Sequence, residues 1–207
     1  MRKWLVLSSL VLLAACGNSN DISKSDLQKA LDHSPHGKVC VPVALEIADR
    51  QGDEISTLGQ PEIRVLKRLE NGKRANQRAI EQMDILVQAG IYEEVGVQKS
   101  DDANSPVRHL VYRLTDKGRS VFQHRSHGLS LCIGRLEVEK IHYYTQPTPS
   151  NGVTMSMVSY EATIQPERWA RKLLANSPYY QGLTQAETRN ITLVQTNAGW
   201  REIHSLY

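Results

Sequence analysis

Two pairs of histidines have a spacing at which their side chains could bind one metal ion. His33 and His36 are three residues apart, as are His124 and His127. A zinc site normally needs three or four ligands, and no Cys, Asp or Glu joins either pair at a motif spacing. The sequence therefore predicts surface histidines near turns and no metal site, unless the two pairs converge in space.

Signatures of common catalytic sites are absent from the sequence. It contains no Gly-x-Ser-x-Gly elbow, no His-Glu-x-x-His, no P-loop and no dinucleotide-binding Gly-x-Gly-x-x-Gly. Cys40 or Cys132 could be a nucleophile beside a histidine, but a catalytic thiol must be activated, and neither has a local basis for activation. We therefore expect no enzymatic activity and no cofactor. A site assembled from distant residues would escape this test.

Basic residues are concentrated between positions 64 and 78, where Glu70 is the one acidic residue. The six cations are Arg64, Lys67, Arg68, Lys73, Arg74 and Arg78. Such a cluster could contact anionic lipid head groups, lipopolysaccharide or an acidic protein. The simpler interpretation is a solvated face of a helix. We retain the six residues as a candidate patch for an anionic partner.

The first fifteen residues have the composition of an export signal. Arg2 and Lys3 precede an apolar run from Trp4 to Leu13, and small residues follow it. About ten apolar residues span roughly 15 Å as a helix, half the thickness of a hydrocarbon core, so a permanent membrane span is not expected. The sequence predicts a signal peptide over residues 1–15.

The segment Leu13-Ala14-Ala15-Cys16 resembles the lipobox of bacterial lipoproteins. The resemblance implies that Cys16 becomes the first mature residue and carries acyl chains that anchor the protein in a membrane. In this family Asp after the cysteine usually marks retention in the inner membrane, so in a Gram-negative cell Gly17 implies the outer membrane, with the inner membrane as the alternative. An ordinary signal peptide is the other interpretation. Residues 16–26 are small and polar, and they are predicted to form a flexible tether.

Removal of a signal peptide would change the net charge of the chain, and export would place the other cysteines in an oxidising environment. Without residues 1–15 the chain has 192 residues, with 23 basic and 22 acidic side chains, which gives no general attraction to polyanions. If Cys16 carries lipid, Cys40 and Cys132 remain as a pair in an oxidising compartment. Both lie in apolar, β-rich segments, so a disulfide is predicted. The alternative is two buried free thiols.

Between residues 25 and 125 helical and strand patterns alternate. Ser25 and Gln28 have the spacing of a capping box, which predicts a short helix to about His33. Pro61, followed by apolar residues at helical spacing, predicts a helix over 61–70. Further along, the sequence predicts a helix from about residue 75 to Gly90, strands over 91–97 and 107–114, and a last helix capped by Thr115.

The segments "ILVQAGIYEE" and "VYRLTDKGRSVF" resemble parts of the winged-helix domains of bacterial regulators of the MarR and PadR kinds, over about residues 60–125. The resemblance implies that residues 75–88 form the recognition helix and residues 98–106 the tip of the wing. The strand-like segment "KVCVPVALEI" departs from the family, which has a first helix there. We predict a winged-helix-like domain over residues 27–127.

From residue 128 onward the pattern changes to long alternating segments. "LCIGRLEVEKIHYYT" and "VTMSMVSYEATI", joined by "QPTPSNG", predict a long hairpin, and "NITLVQTNAGWREI" predicts another strand or hairpin. A helix is predicted over residues 168–175. The predicted fold class is α+β, a winged-helix-like domain followed by an antiparallel sheet domain with one packed helix over residues 128–207.

These patterns together predict a lipoprotein of the outer membrane whose body faces the periplasm. Its expected role is binding or structural, with the membrane as partner through lipidated Cys16 and an envelope protein or anionic envelope component as a further partner. Nucleic acid is not an expected partner, because export separates the protein from the chromosome. Two alternatives stay open: a winged-helix DNA-binding regulator whose hydrophobic start is not cleaved, and an envelope enzyme with an unrecognised site.

Overall fold

A computed structural model gives the structure of residues 22–34, 37–50, 57–99, 107–125, 128–177 and 180–206. The predicted signal peptide and Cys16 lie outside the described residues. The helices are α1 (Lys24–Asp32), α2 (Gln77–Gln88), α3 (Asp116–Val121), α4 (Arg168–Leu174), α5 (Tyr180–Leu183) and a 3-10 helix (Ile203–Leu206). Within the described ranges, none of these helices has the length and apolar character needed to cross a membrane.

Strands account for more of the described residues than helices do. They are β1 (Lys38–Val41), β2 (Glu62–Arg68), β3 (Tyr92–Lys99), β4 (Arg108–Leu114), β5 (Phe122–Arg125), β6 (Gly128–Tyr144), β7 (Thr148–Ser150), β8 (Val153–Pro166), β9 (Glu187–Thr196) and β10 (Gly199–Glu202). They form two antiparallel sheets, a small one of three strands and a larger one of seven.

The small sheet is built from one continuous stretch of chain, residues 62–114. Its strand order is β2-β4-β3, and α2 packs against it through buried Ala79, Met83 and Leu86. Tyr92 and Tyr112 are almost completely buried in the same core. The apolar face of one helix and two tyrosines therefore fill the space on one side of the sheet.

The prediction of a helix over residues 61–70 is wrong, because this segment forms β2. Ile63 and Val65 are fully buried on either side of partly exposed Arg64, which is the two-residue period of a strand. Leu66 and Leu69 also fit a helical spacing, so the apolar pattern of this short segment is ambiguous. The β-branched residues favour the strand, and the pairing of β2 with β4 selects it.

The predicted fold class is also wrong. The chain is mostly β, with a curled antiparallel sheet and few helices, rather than a winged-helix-like domain followed by a sheet domain with one helix. The segments on which the resemblance rests, from α2 to α3, form the predicted local elements within a different fold.

The elements that carried the resemblance are themselves correctly predicted. α2 ends before Gly90, whose φ of 70° allows the Ile91 N–H to donate to the Leu86 carbonyl at 2.9 Å. β3 and β4 follow as the predicted hairpin strands. Thr115 then caps α3, because its hydroxyl oxygen accepts a hydrogen bond from the Gly118 N–H at 2.9 Å.

β3 is an edge strand of the small sheet. Its register with β4 shifts between Glu94 and Gly96, which leaves Val95 in a β-bulge. Gly96 has a φ of 141°, a conformation that side chains rarely adopt. Val95 and Val97 are 42% and 51% exposed. This edge is thus irregular, and it presents two apolar side chains to solvent.

The larger sheet combines strands from both ends of the described chain. Its order is β1-β6-β8-β9-β10, with β5 paired to β6 and β7 paired to β8. The long β6–β8 hairpin, the β9–β10 hairpin and α4 confirm the predictions for these segments. β1 and β5 come before residue 128 and nevertheless belong to this sheet.

α1 covers one face of the larger sheet. Leu27 and Leu31 of α1 are buried against Val158 of β8 and Leu193 of β9. Just after α1, the Ser34 hydroxyl donates a hydrogen bond to the buried carboxylate of Glu202 on β10. The helix is thus held to the sheet by apolar contacts along its length and by a buried polar contact at its end.

The start of α1 differs from the prediction by two residues. The N-cap is Ser23 rather than Ser25, since the Ser23 hydroxyl oxygen accepts from the Asp26 N–H at 3.1 Å, and the Asp26 carboxylate accepts from the Ser23 N–H at 3.3 Å. The Ser23 hydroxyl also donates to the Asp26 carboxylate at 2.6 Å, and this hydrogen bond, together with the one from the Ser23 N–H, lowers the pKa of Asp26. Ile22 is only 4% exposed. The chain is therefore already packed onto the body at Ile22.

One hydrophobic cluster joins the two sheets. It contains Ile63 and Leu86 from the small sheet and its helix, Leu131 and Ile133 from β6, and Leu174 from α4. Because β6 runs from this cluster into the region under α1, the two sheets are parts of one continuous packed structure.

Candidate functional site

The six basic residues predicted as one patch lie on several different elements. Arg64 on β2 pairs with Glu62, with 2.7 Å between nitrogen and oxygen. Arg78 on α2 lies 3.5 Å from a carboxylate oxygen of Glu46 and 3.3 Å from one of Glu81. These two cations already have acidic partners. The six residues predicted from the sequence as one patch therefore do not form a single surface of free charges.

Arg68 and Arg74 instead belong to a row of like charges that crosses the small sheet. Arg68 lies directly opposite Arg108 of β4, and Arg108 lies directly opposite Lys99 of β3. On the other side, Arg68 forms an isolated antiparallel bridge with Arg74. We call these four residues the cationic row. Lys67 and Lys73 lie beside the row, at the register shift of β2 and in the turn that follows it.

Residues directly opposite each other in an antiparallel sheet project from the same face. Neighbouring strands are about 4.8 Å apart, so four such positions lie within roughly 14 Å. Arg108 is two residues before Leu110, which is buried in the core beneath α2. The cationic row is therefore on the α2 side of the small sheet, at the end where the apolar core stops.

The charges of the cationic row are accessible and largely uncompensated. Lys99, Arg74 and Arg108 are exposed, while Arg68 is partly buried and donates to the Gly72 carbonyl at 2.9 Å. Across the described parts of the chain, the three exposed members form no ion pair and no side-chain hydrogen bond. Like charges facing each other across strands are destabilising. Nothing in the described fold explains why the chain places them together.

Sequence reasoning missed Arg108 and Lys99 because they lie far along the chain from Arg68. A signal was present, since strands were predicted on both sides of the β3–β4 connection and a cation stands at the end of each. Only the register shows that these cations meet Arg68. The connection itself, residues 100–106, contains Asp101 and Asp102 and lies outside the described residues.

Two features next to the cationic row matter for its chemistry. Val97 of β3 lies directly opposite Leu110 of β4 and is half-exposed. It is two residues from Lys99, so its side chain projects from the same face as the cationic row. The first helical residue of α2 comes three positions after Arg74, and no acidic residue lies in the first turn of that helix. The amino end of α2 therefore adds to the positive potential there.

The cysteines predicted to pair lie at disulfide distance. Cys40 on β1 is directly opposite Cys132 on β6, with 2.08 Å between the two sulfur atoms. The proposed lipid-bearing Cys16 lies outside the described residues.

The histidines do not form a metal site within the described chain. His33 Nδ1 lies 2.7 Å from the Lys29 carbonyl oxygen, at the end of α1. His36 and His127 lie outside the described residues, so each predicted pair is described only in part. Among the residues whose placement is given, no three or more His, Cys, Asp or Glu side chains are grouped so that they could hold a metal ion.

A shallow cleft of about 290 Å³ between α2 and α4 is lined by further basic residues, among them Lys117, Arg168 and Lys172. The Lys117 ammonium group donates to the Ala89 carbonyl at 2.6 Å. Ala89 ends α2, where a cation is favourable against the negative end of the helix dipole. The Lys117 charge thus has a structural explanation, which the cationic row lacks.

Burial perturbs two tyrosines of the small sheet. Burial raises the pKa of Tyr92 to about 12, although the Gly59 N–H donates to its hydroxyl oxygen at 2.7 Å. Burial also raises the pKa of Tyr112, and its hydroxyl has no hydrogen-bond partner among the described residues. Both hydroxyls stay protonated at neutral pH and lie inside the core, so their part is in packing.

A comparison with protein-family models, curated proteins and solved structures finds no significant match to this chain. The cationic row, with the half-exposed Val97 beside it, is therefore singled out by its own geometry and charge.

Proposed function

We propose that this protein is a lipoprotein of the bacterial outer membrane, anchored through acylated Cys16, with its body in the periplasm. Its role is that of a non-catalytic binding or structural module. The observation that carries the proposal is the order of the first seventeen residues, a basic start, a short apolar run and then Leu13-Ala14-Ala15-Cys16-Gly17.

The pairing of Cys40 with Cys132 supports an oxidising compartment. Disulfides persist in exported proteins and are rare in the cytosol, where thiols are kept reduced. The pair joins β1 and β6 directly within the larger sheet. It is thus built into the sheet rather than added at a loop, as expected for a protein that folds after export.

The short distance between Cys16 and the folded body supports a role at the membrane surface. Ile22 is buried, so six residue steps separate the proposed lipid attachment from the packed chain. Six extended residues reach at most roughly 20 Å. Anchoring at Cys16 would therefore hold the body next to the head groups and confine its partners to that layer.

The uncompensated cationic row supports binding as the role of the body. Its cations face one another at a cost to stability, without described acidic partners, which is the arrangement expected if an anionic component of the envelope completes it.

Intact mass of the protein extracted from membranes tests the anchor. The expected product lacks residues 1–15 and carries added acyl mass, and Cys16→Ser abolishes both the acyl mass and the membrane association. Gly17→Asp is the matched variant, since it leaves Cys16 in place and should keep the acyl mass while moving the protein to the inner membrane. Recovery of the full-length chain from the cytosol, free of fatty acid, would overturn the proposal.

A further inference from the structure

We propose that the cationic row binds the phosphate groups of anionic phospholipids, so that this end of the small sheet docks flat on the membrane surface. Four cations on one face, within roughly 14 Å, form a linear array of donors. Three of them are arginines, whose planar guanidinium groups bind phosphate oxygens in pairs. The row therefore matches a surface that presents several phosphates at once.

The opposed like charges of the cationic row favour the binding of an anion. Lys99, Arg74 and Arg108 lack acidic partners in the described chain, so opposing cations repel each other in the free protein. A phosphate between two neighbouring members would convert that repulsion into two attractions. Each lysine or arginine brought near an anionic leaflet contributes about 1 kcal/mol, an energy that falls as salt increases.

Val97 distinguishes a lipid surface from a soluble anion. It is 51% exposed and lies on the same face as the row, beside Lys99. An apolar side chain flanking cations suits the boundary between head groups and acyl chains, where the cations meet phosphates and the apolar side chain leaves water. A free phosphate ion would leave the exposure of Val97 unchanged.

The choice of phospholipid as the ligand rests on the proposed anchoring, because a body held within roughly 20 Å of the head groups meets them at high effective concentration. The binding chemistry does not depend on the anchor. It can therefore be measured on the protein without its acyl chains.

The experiment uses the mature chain carrying Cys16→Ser and measures its cosedimentation with vesicles at low salt. Vesicles of phosphatidylcholine and phosphatidylglycerol in equal parts should bind the protein, and vesicles of phosphatidylcholine alone should not. Neutralising the row with Lys99→Gln, Arg68→Gln, Arg74→Gln and Arg108→Gln should weaken binding at least about a hundredfold, since each charge near the surface is worth about a fivefold change.

A matched control removes the same charge from exposed positions elsewhere, through Arg135→Gln, Lys140→Gln, Arg171→Gln and Lys172→Gln. This variant should keep most of the binding. The row variant should melt at the same or a higher temperature than the parent, because like charges are removed, so loss of binding would not reflect unfolding. Val97→Ser should weaken binding to the vesicles but leave any binding of inorganic phosphate unchanged.

Three results would overturn the inference. They are equal binding by the row variant and the control variant, equal binding to neutral and anionic vesicles, or no binding by the folded parent at low salt. If the parent bound an acidic polypeptide and no vesicle, an acidic protein would replace phospholipid as the partner. All of these outcomes are independent of acylation, so they separate failure of this inference from failure of the proposed anchor.

Discussion

The two sheets differ in how far apart in the chain their strands lie. The small sheet and its helix come from one continuous stretch, residues 62–114. In the larger sheet, β1 pairs with β6 across a sequence separation of 92 at the Cys40–Cys132 pair. The small sheet lies entirely within the loop that this pair closes. Because closing a long loop is costly before its contacts form, the larger sheet has the greater need for a covalent link.

The two sheets also differ in how their interiors are completed. The small sheet buries two tyrosines and one helix face, so its stability rests on packing and on the hydrogen bonds of a few hydroxyls. The larger sheet is covered by α1, which reaches it through a buried contact between Ser34 and Glu202. Both sheets are packed against apolar cores, but the sheet built from distant segments also has a covalent link, between Cys40 and Cys132.

Removing the disulfide should have the largest effect. Cys40→Ser with Cys132→Ser should lower the free energy of unfolding by about 2–4 kcal/mol, because the unfolded chain gains the freedom of a long loop. Urea denaturation measures the total loss in the free energy of unfolding, and hydrogen exchange shows which strands lose protection. Protection should fall first in β1 and β6 and last in β2 and β4.

The comparison between the sheets would fail if the small sheet lost protection before the larger one did. Reduction of the unmutated protein should reproduce the pattern of the double variant. Either single serine variant should match the double variant in stability, since each breaks the same link.

Two tyrosine variants sharpen the contrast within the small sheet. Tyr92→Phe should lower the free energy of unfolding by about 1–3 kcal/mol, because it leaves the partly buried Gly59 N–H without its acceptor and the Gln60 carbonyl without its donor. Tyr112→Phe should be neutral or slightly stabilising, because it removes a buried hydroxyl that has no described partner. Thermal and urea unfolding of the two variants measure the difference. If Tyr112→Phe proved as destabilising as Tyr92→Phe, the Tyr112 hydroxyl would have to form a hydrogen bond.

Among the destabilising variants, those that remove a helix cap should have the smallest effect, about 1 kcal/mol each. Thr115→Ala removes the cap of α3 beside the small sheet, and Ser23→Ala removes the cap of α1 on the larger one. Hydrogen exchange should place the Ser23→Ala effect in α1, near the proposed tether. Ser25→Ala is the control, and its effect should stay below that of Ser23→Ala. Equal losses at the two serines would contradict the observed capping box.

The sequence predicts the elements of this protein better than their assembly. Strong local signals such as Gly90 after α2 and Thr115 before α3 locate helix ends correctly, because capping depends on neighbouring residues alone. The prediction for residues 61–70 is wrong because the spacing of the apolar residues there fits both a helix and a strand. Only the pairing of β2 with β4 selects the strand. The winged-helix prediction failed with it.

The candidate site shows the same limit. Arg68 and Arg74 could be named from local charge, whereas Arg108 and Lys99 join them only through cross-strand register. Register is set by long-range pairing and by a bulge, neither of which a charge count shows. The pairing of Cys40 with Cys132 was predictable because, once Cys16 is assigned to lipid, two cysteines allow a single pairing.

The bulge in β3 has a consequence for solubility. The outer edge of β3, which has exposed Val95 and Val97, could recruit the same edge of a second molecule and begin a chain of edge-to-edge pairing. The shift at Gly96 interrupts the regular spacing of free amide and carbonyl groups, and the exposed carboxylate of Glu94 would repel a second copy. The irregular edge thus protects the protein against self-assembly when many copies are crowded together.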